Sequence, residues 1–374
     1  MSDPTETLTL TLAGLAPTGE AIGRHEGMVV FVPLGLPGES VRVRLVERKR
    51  SFARGEIVER LNSAPERVQP ACPYFGRCGG CDWQHMAYAE QLRAKTALVA
   101  EQLRRIGKFA DAPVLPCVPS PFAYEYRNHA RLHVTAEGRL GYRAARSHAV
   151  VPVADCPICE PPLRATIADL AGQRIDPTQG DEIELRAWED KITVGPFAYR
   201  AGEGAFFQAN TAVAGLLVEA VLHALALRGG EQVLDLYCGV GLFTIPIGQH
   251  GAQVTGVEAN PQAAADAEHN LRTASTASRI LTADVGAALR EPLIADQSWD
   301  AVLLDPPRTG IDAPALTTLA TLRAPRLIYV SCEPATLARD LRVLVDGGYT
   351  LQWAQPFDMF PQTRHVETLA LLTA

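Results

Sequence analysis

Residues 231–248, EQVLDLYCGVGLFTIPIG, decide the predicted fold. The apolar run 232–236 has the composition of a short buried strand, and a turn that holds Gly239 and Gly241 leads from it into a helix. Beyond this stretch, short apolar runs alternate with amphipathic ones, which is typical of strands that alternate with helices. The sequence therefore predicts a doubly wound, Rossmann-like α/β fold for the C-terminal part of the chain.

The same turn, with the strand after it, is a candidate nucleoside site. Glycines here let the backbone approach a bound nucleoside closely, and Glu258, about twenty residues further on, can accept hydrogen bonds from ribose hydroxyls. Dinucleotide folds usually carry a third glycine, at the place where this chain has Thr244. The run DLYCGVG resembles instead the first motif of S-adenosylmethionine-dependent methyltransferases. That resemblance implies a methyl-donor site, with Asp284 of the run TADV near the adenine.

A second informative stretch is LIYVSCEPATLARD, residues 327–340. Its apolar start predicts a buried strand that stops before Cys332, and Pro334 is well suited to open a helix because the first helical N–H has no partner anyway. Cys332 is thus predicted at the carboxyl end of a strand, where open α/β sheets bind ligands and where a helix N-terminus stabilises a thiolate. Taken by itself, Cys332 fits a core thiol about equally well.

The composition is that of an ordinary globular protein. With 374 residues, 47% hydrophobic and 21% charged, the chain is long enough for two or three domains. It has no apolar run of membrane-spanning length, and its first residues lack the pattern of a signal peptide. We therefore expect a cytoplasmic protein with no membrane partner, and a monomer. In a reducing compartment its eight cysteines are candidates for metal binding or catalysis rather than disulfides.

The charge is unevenly distributed. The net charge is -7, yet residues 42–60 hold seven Arg or Lys against three Glu, and residues 93–146 hold ten against four acidic residues. A locally basic N-terminal half is compatible with RNA, although a solvated basic face explains the charges equally well.

Residues 6–60 alternate apolar and polar positions in short runs punctuated by glycine and proline. This pattern predicts a small β-barrel of about five strands. The stretch GEAIGRHEGMVVFVPLGLPGE, residues 19–39, resembles a TRAM domain, an OB-like module that binds RNA.

A cysteine-rich run, ACPYFGRCGGCDWQH, follows the predicted barrel. Cys72, Cys78 and Cys81 are separated by six and three residues, and the intervening glycines allow their thiolates to converge on one metal centre. A fourth ligand is available from Cys156 or Cys159 in ADCPIC. The spacing differs from the one typical of radical-SAM clusters. Structural zinc remains an alternative to an iron–sulfur cluster, because zinc also accepts four thiolates.

Three further segments have recognisable secondary-structure patterns. Residues 86–108 have helical periodicity with an exposed basic face. Residues 124–153 read as antiparallel strands with a turn at Glu137-Gly138, and their aromatic and Arg residues are suited to stack on bases and neutralise phosphates. The run FFQAN, residues 206–210, precedes a predicted helix over 211–227.

The fourth predicted strand ends in DPPR, residues 305–308. Methyltransferases that modify exocyclic amines usually carry an aromatic residue after the two prolines, whereas this chain has Arg308. Cytosine-C5 enzymes typically place their cysteine in the same motif, after a proline. Both classes are therefore disfavoured.

Uracil carbon 5 is a poor nucleophile that needs a thiolate on carbon 6 before it can attack a sulfonium methyl group. A base must afterwards remove the carbon-5 proton so that the thiolate can leave. This chemistry requires one cysteine and one carboxylate facing each other, and the run FDMFPQTRHVETLALL supplies Glu367.

The motifs SCEPATLARD, DMFPQTRHVE, FFQAN, DLYCGVG, LLDPPR and the three-cysteine run followed by CPI together resemble the RNA uracil-C5 methyltransferases. This is the family of the 23S rRNA and tRNA 5-methyluridine enzymes, and the match is to the iron–sulfur type with an N-terminal TRAM domain. It covers nearly the whole chain. Two positions depart from the family pattern: DPPR replaces the DPAR of some members, and Arg364 stands where a small residue is common.

The resemblance implies a role for each matching residue. Cys332 is the expected nucleophile, Glu367 the proton-abstracting base, and Asp305 a contact to the target uracil. The expected S-adenosylmethionine site comprises Gln208, Asp235, Tyr237, Gly239, Gly241, Glu258, Asp284 and Asp305. The expected ligands of a structural [4Fe-4S] cluster are Cys72, Cys78, Cys81 and Cys156, which leaves Cys159 as a spare.

The predicted fold class is multidomain α/β. Residues 1–62 are expected to form the TRAM-like barrel, 63–200 a central α+β iron–sulfur and RNA-recognition domain, and 201–374 the methyltransferase domain, with helix 86–108 packing on it. The expected function is methylation of uracil C5 in 23S rRNA, with the base flipped out of its stack. Two alternatives stay open, a tRNA T-loop enzyme and an inactive RNA-binding iron–sulfur protein.

Overall fold

The computed structural model describes residues 7–176, 178, 180–202 and 204–374. Its first five strands are β1 (Thr7–Leu15), β2 (Ala21–His25), β3 (Met28–Val32), β4 (Ser40–Arg48) and β5 (Phe52–Arg60). They close into a barrel in the order β1-β2-β3-β5-β4. Leu8, Leu10 and Leu12 point into the barrel core because alternate side chains of a strand share one side. The predicted barrel is confirmed over residues 7–60.

The chain then passes through turns and isolated bridges before the first helix, α1 (Tyr88–Arg105). We call residues 72–84 within this stretch the cysteine segment. Arg93 and Arg104 lie on an exposed basic side of α1, as predicted. Lys95 departs from that expectation, because it is fully buried and pairs with Asp358.

The central sheet is antiparallel, in the order β8-β7-β6-β9. Its strands are β6 (His129–Val134), β7 (Leu140–Arg143), β8 (Val150–Pro152) and β9 (Glu182–Arg186), and helix α2 (Pro161–Ala171) packs its buried Leu163 and Ile167 against them. The predicted turn at Glu137-Gly138 joins β6 to β7, and Gly138 has a φ of +76° that favours glycine. A hairpin of β10 (Lys191–Val194) and β11 (Phe197–Arg200) leads toward the C-terminal part.

The C-terminal part alternates strands and helices as predicted. Its helices are α3 (Thr211–Leu225), α4 (Thr244–Gln249), α5 (Pro261–Ala274), α6 (Val285–Ala288), α7 (Pro292–Ala295), α8 (Ala313–Thr321) and α9 (Pro334–Asp346). Its strands are β12 (Gln232–Leu236), β13 (Gln253–Glu258), β14 (Arg279–Thr282), β15 (Ala301–Leu304), β16 (Arg326–Ser331), β17 (Thr350–Phe357) and β18 (Glu367–Thr373). They form one sheet in the order β14-β13-β12-β15-β16-β18-β17.

The first five strands of this order are parallel, whereas β18 runs antiparallel between β16 and β17. Apolar cores lie on both faces of the sheet, and Val99 and Leu103 of α1 belong to one of them. Helix α1 also packs against α9. Within the described ranges, no helix is both long and apolar enough to span a membrane.

Candidate active site

The donor turn, residues 235–241, joins β12 to α4 at the carboxyl edge of the sheet. Tyr237, Gly239 and Gly241 have positive φ angles of 62°, 55° and 91°, so the backbone doubles back on itself. The N–H of Gly239 donates to Glu258 Oε2 at 2.9 Å. Because Glu258 ends the neighbouring strand, this bond ties the turn to the next strand, and the predicted nucleoside site depends on that arrangement.

Asp235 is the first residue of the donor turn and is fully buried. Its Oδ2 accepts a hydrogen bond from Thr244 Oγ1 at 2.5 Å, whereas its Oδ1 has no partner among the described residues. Burial, followed by the nearby charge of Glu258, raises the pKa of Asp235 to about 7. A buried oxygen without a donor is unusual in proteins. It fits a ligand that carries N–H groups or positive charge, and S-adenosylmethionine carries both.

The other expected donor contacts are spread along the same edge. Glu258 Oε1 accepts from the N–H of Asn260 at 2.7 Å, and a half-buried carboxylate keeps lone pairs for hydroxyl groups. Asp284 is exposed and caps α6 by accepting from the N–H of Ala287 at 3.0 Å. Gln208 is buried on a loop from outside the sheet. Its carbonyl is held by Asn128 Nδ2 at 2.9 Å.

The acceptor pair, Cys332 and Glu367, lies where β16 and β18 meet. Ser331 is directly opposite Thr368 in the antiparallel register. Extending that register by one residue places Cys332 opposite Glu367. The structure therefore brings together the cysteine and the carboxylate that the sequence placed 35 positions apart.

The two residues of the acceptor pair differ in exposure, because Glu367 is buried whereas Cys332 is half-buried. Glu367 is 2% exposed, and its Oε1 has no hydrogen-bond partner within the described ranges. Burial and the charge of Asp305 raise the pKa of Glu367 well above its ordinary value. Burial, Glu367 and Asp305 also raise the pKa of the Cys332 thiol, to about 11. The pair is thus a neutral thiol beside a carboxyl group whose ionisation is suppressed.

Asp305 connects the donor and acceptor parts. It follows β15, and its N–H donates to the Leu236 carbonyl at 3.2 Å. Burial and the charge of Asp235 raise its pKa to about 7, and its own charge acts on Cys332 and Glu367. These mutual effects require the four groups to be neighbours, because charge interactions fall with distance.

Arg308 is a further residue of this site, to which the sequence motifs assign no role. Its positive charge lowers the pKa of both Cys332 and Glu367, against the effect of burial. Helix α9 fixes the loop that carries it, because Thr336 Oγ1 donates to the Arg308 carbonyl at 3.1 Å and Asp340 Oδ2 accepts from the Ile311 N–H at 3.0 Å. The sequence does contain this residue in the motif DPPR, where Arg308 stands at the position of an aromatic residue in amine methyltransferases.

Comparison with known proteins shows the family to which the chain belongs. A model described as tRNA (Uracil-5-)-methyltransferase matches residues 184–374, and a TRAM domain model matches residues 3–58. The chain belongs to the tRNA (uracil-5-)-methyltransferase family. The resemblance inferred from its motifs is confirmed.

Relatives of this methyltransferase match along its whole length. An uncharacterized RNA methyltransferase of Thermosynechococcus vestitus is 34% identical over 98% of both chains. A 23S rRNA (uracil(1939)-C(5))-methyltransferase of Pectobacterium atrosepticum is 32% identical over 98% of this chain and 94% of its own. The crystal structure of Pyrococcus abyssi tRNA (uracil-54, C5)-methyltransferase with S-adenosyl-L-homocysteine superimposes with a TM-score of 0.75 at 24% identity, covering 98% and 100%. That last likeness supports the multidomain fold.

The methyltransferase has a second candidate site away from the sheet edge. Cys72, Cys78, Cys81 and Cys156 line one cavity of about 170 Å³. Cys156 acts electrostatically on each of the other three thiols, so all four are close together. Cys159 is buried, with its Sγ 3.8 Å from the Tyr142 hydroxyl.

The donor set of this cavity is compatible with a multinuclear centre. Among the described residues, no group of three or more His, Cys, Asp or Glu side chains could hold a metal ion as they stand. Zinc needs four ligands at about 2.3 Å from one ion, whereas a [4Fe-4S] cluster takes one thiolate on each of its four irons and so holds them further apart. Arg127 and Arg131 also line the cavity and supply positive charge beside the thiols.

Proposed function

We propose that this protein transfers a methyl group from S-adenosylmethionine to carbon 5 of a uridine in 23S rRNA. The observation that carries the proposal is the acceptor pair, in which a half-buried Cys332 and a buried Glu367 face each other at the sheet edge that also bears Asp235. Uracil C5 methylation is the chemistry that needs a thiol and a carboxylate on opposite sides of one base.

In the first step the Cys332 thiol loses its proton to solvent, and the resulting thiolate adds to carbon 6 of a uracil that has been flipped out of its stack. The Sγ–C6 bond forms, and the electron pair of the C5–C6 double bond moves toward carbon 5 and the carbonyl at carbon 4. Arg308 favours this step because its guanidinium stabilises the thiolate against burial. Carbon 5 then attacks the methyl group, and the donor leaves as S-adenosylhomocysteine.

In the second step Glu367 removes the proton from carbon 5. The C–H electron pair restores the C5–C6 double bond, and the Sγ–C6 bond breaks to release the thiolate of Cys332. The base must be an ionised carboxylate, and Arg308 opposes the burial and the Asp305 charge that disfavour ionisation. A carboxyl oxygen without a hydrogen-bond partner is free to accept that proton.

The donor is held by the expected set around the donor turn. Asp235 Oδ1, which has no hydrogen-bond partner among the described residues, accepts a hydrogen bond from S-adenosylmethionine. Glu258 accepts hydrogen bonds from the ribose hydroxyls with its remaining lone pairs. Asp305 lies between these groups and the acceptor pair and contacts the target uracil. The three units, residues 1–62, 63–200 and 201–374, then act as an RNA-binding barrel, a central RNA-reading domain and the methyltransferase domain of a cytoplasmic enzyme.

We infer further that the cavity lined by Cys72, Cys78, Cys81 and Cys156 holds a [4Fe-4S] cluster. The support is the convergence of four thiols and two arginines on one cavity. The cluster supplies structure rather than electrons, because no step above is a redox step. Purified under anaerobic conditions, the protein is expected to be brown, to absorb near ~400 nm and to contain iron and sulfide in equal amounts. Zinc in place of iron would overturn this inference.

The choice of 23S rRNA rests on the relative of Pectobacterium atrosepticum, which is named as a 23S rRNA methyltransferase and is 32% identical to this chain. A tRNA substrate is the second candidate, and the structural neighbour from Pyrococcus abyssi favours it at 24% identity. Both candidate functions of this protein use the same proposed catalytic residues and differ only in the RNA that is methylated.

The test is tritium release from RNA labelled at uridine carbon 5, because proton abstraction liberates the label. Fragments of 23S rRNA and tRNA transcripts are compared with S-adenosylmethionine present, and Cys332→Ala serves as the control. Release from rRNA alone supports the proposal, and release from tRNA alone moves the function to the second candidate. No release from either RNA, with donor bound, leaves an RNA-binding protein without this activity.

A further inference from the structure

Residues 358–366, the base loop, lead directly into Glu367 and are held largely from outside the methyltransferase sheet. Lys95 of α1 pairs with Asp358 and donates to the carbonyl of Phe360 at 3.0 Å. Both partners of this ion pair are fully buried. The loop that brings the base to the sheet therefore depends on a helix some 260 positions earlier in the chain.

The most constrained residue of the base loop is Gln362, whose φ of 69° is rare for residues other than glycine. Its carbonyl accepts hydrogen bonds from the N–H groups of Asp82 at 3.1 Å and Trp83 at 2.9 Å. Its own N–H donates to the side chain of Gln91 at 2.9 Å. Such a backbone conformation persists only where the surroundings over-determine it. The cysteine segment and α1 supply those surroundings.

Asp82 makes a second contact with the base loop. Arg364 Nη1 lies 3.1 Å and 3.0 Å from its two carboxylate oxygens, and the Arg364 N–H donates to the same group at 3.4 Å. The two side chains are about one third exposed, 34% for Arg364 and 29% for Asp82. Asp82 directly follows Cys81, and Arg364 stands three positions before Glu367. The pair joins the cysteine segment to the base loop close to both chemical centres.

The backbone of Glu367 is held in the sheet opposite Phe357 of β17. Its Oε1 has no partner in the described part of the chain, so its position follows from the backbone that leads into β18. We propose that Asp82 and Arg364 are positioning residues that hold the Glu367 carboxylate where it abstracts the carbon-5 proton. The inference rests on the proposed function and adds a specific dependence of one step on residues outside the methyltransferase sheet.

A positioning role for Asp82 and Arg364 can be distinguished from a general structural role by comparing formation of the covalent complex with release of the RNA. Addition of Cys332 and methyl transfer do not use Glu367, whereas release of the RNA does. A displaced base loop should therefore slow release alone, and the methylated RNA should remain covalently bound to Cys332. A change that merely loosens the fold should slow both steps and lower the melting temperature.

The experiment uses the full-length holoprotein with Arg364→Met, which keeps the length of the side chain and removes its charge. Asp82→Asn is the reciprocal variant, and the double variant tests whether the two effects are shared. Arg342→Met is the matched control, since Arg342 is 32% exposed and pairs with Asp346 on α9 at 2.6 Å. Single turnovers are quenched with denaturant, and the covalent RNA–protein complex is resolved on a denaturing gel.

We expect release to slow about tenfold in each single variant, the range of a coupling between contacting residues. The double variant should be no slower than the singles, and complex formation should stay within about twofold of the parent. Because proton abstraction becomes more rate-limiting, uridine deuterated at carbon 5 should give a larger isotope effect in both variants. The control should release RNA at the parental rate.

Equal slowing of complex formation and release, or parental kinetics in both Asp82 and Arg364 variants, would overturn the positioning role. The proposed function fails by a different result, because the parent protein would then form no covalent complex at all. The two failures are thus distinguished within one set of reactions.

Discussion

The donor turn and the acceptor pair lie on one sheet edge but are built in different ways. The donor turn is local: Thr244 and Asp235 are nine residues apart in sequence, and Gly239 and Glu258 are nineteen apart. The acceptor pair is held through contacts such as the one between Gln91 and Gln362, which spans 271 residues. Donor binding should therefore survive changes elsewhere in the chain, whereas methyl transfer and RNA release should depend on the whole molecule.

The largest expected difference between the acceptor pair and the donor turn is produced by Cys332→Ala. Without the thiol no covalent bond to carbon 6 can form, and tritium release should fall by at least about 10⁴-fold. Donor affinity should stay unchanged, because Cys332 lies outside the donor turn. Titration calorimetry with S-adenosylhomocysteine measures that affinity. Residual release above about one per cent of the parent would contradict the role of Cys332.

Glu367→Gln removes the carboxylate of the acceptor pair and leaves Cys332 intact. Loss of a general base typically slows its step about 10²- to 10⁴-fold, so the covalent RNA complex should accumulate while tritium release almost stops. A denaturing gel and a release assay on the same samples measure both quantities. Rapid release from this variant would show that another group removes the proton.

Asp235→Asn should affect only the donor part. It replaces a charge-assisted hydrogen bond, so donor affinity should fall about tenfold to a hundredfold. Saturating donor should restore most of the turnover, because the acceptor pair is untouched. The KM for S-adenosylmethionine and the kcat are the quantities to compare. A lowered kcat with an unchanged KM would place Asp235 in the chemistry instead.

The effect that is smallest per step, about tenfold for each pH unit, is a pH dependence confined to the acceptor pair. The pKa of Cys332 is raised to about 11, so the fraction of reactive thiolate increases as the pH rises toward that value. The rate of covalent complex formation should rise about tenfold per unit between pH 7 and pH 9. Arg308→Met removes a stabilising cation, so it should raise the pKa further and slow formation about tenfold at pH 8. A rate that does not change with pH in the parent would contradict a neutral thiol with a raised pKa at Cys332.

Locally patterned features were the ones that sequence could predict. The alternation in β1, the strand over 232–236 and the proline that opens α9 each reflect interactions between near neighbours, and all three were predicted correctly. Helix α1 was also expected, two to three residues longer at each end than observed. The roles assigned to Cys332, Glu367 and the donor residues remain predictions, although their positions are now known.

Long-range pairs could not be predicted in the same way. Lys95 looks like one more cation on a basic helix face, and only the folded chain brings it to Asp358. Arg364 stood out as an unusual residue for its position, but nothing near it in sequence indicates Asp82, 282 positions away. Such partners are chosen by the packing of separate elements, and sequence periodicity does not report that packing.

The place of β18 in the sheet has a consequence for the order in which the enzyme matures. Strand β18 has a neighbour on each side, and β17 reaches the rest of the sheet through it. A chain that has paired β12 through β16 already possesses the donor turn and Cys332, but it lacks the base until β18 is inserted between its two neighbours. Insertion of β18 is therefore the step that places the proposed base, Glu367, opposite the proposed nucleophile, Cys332.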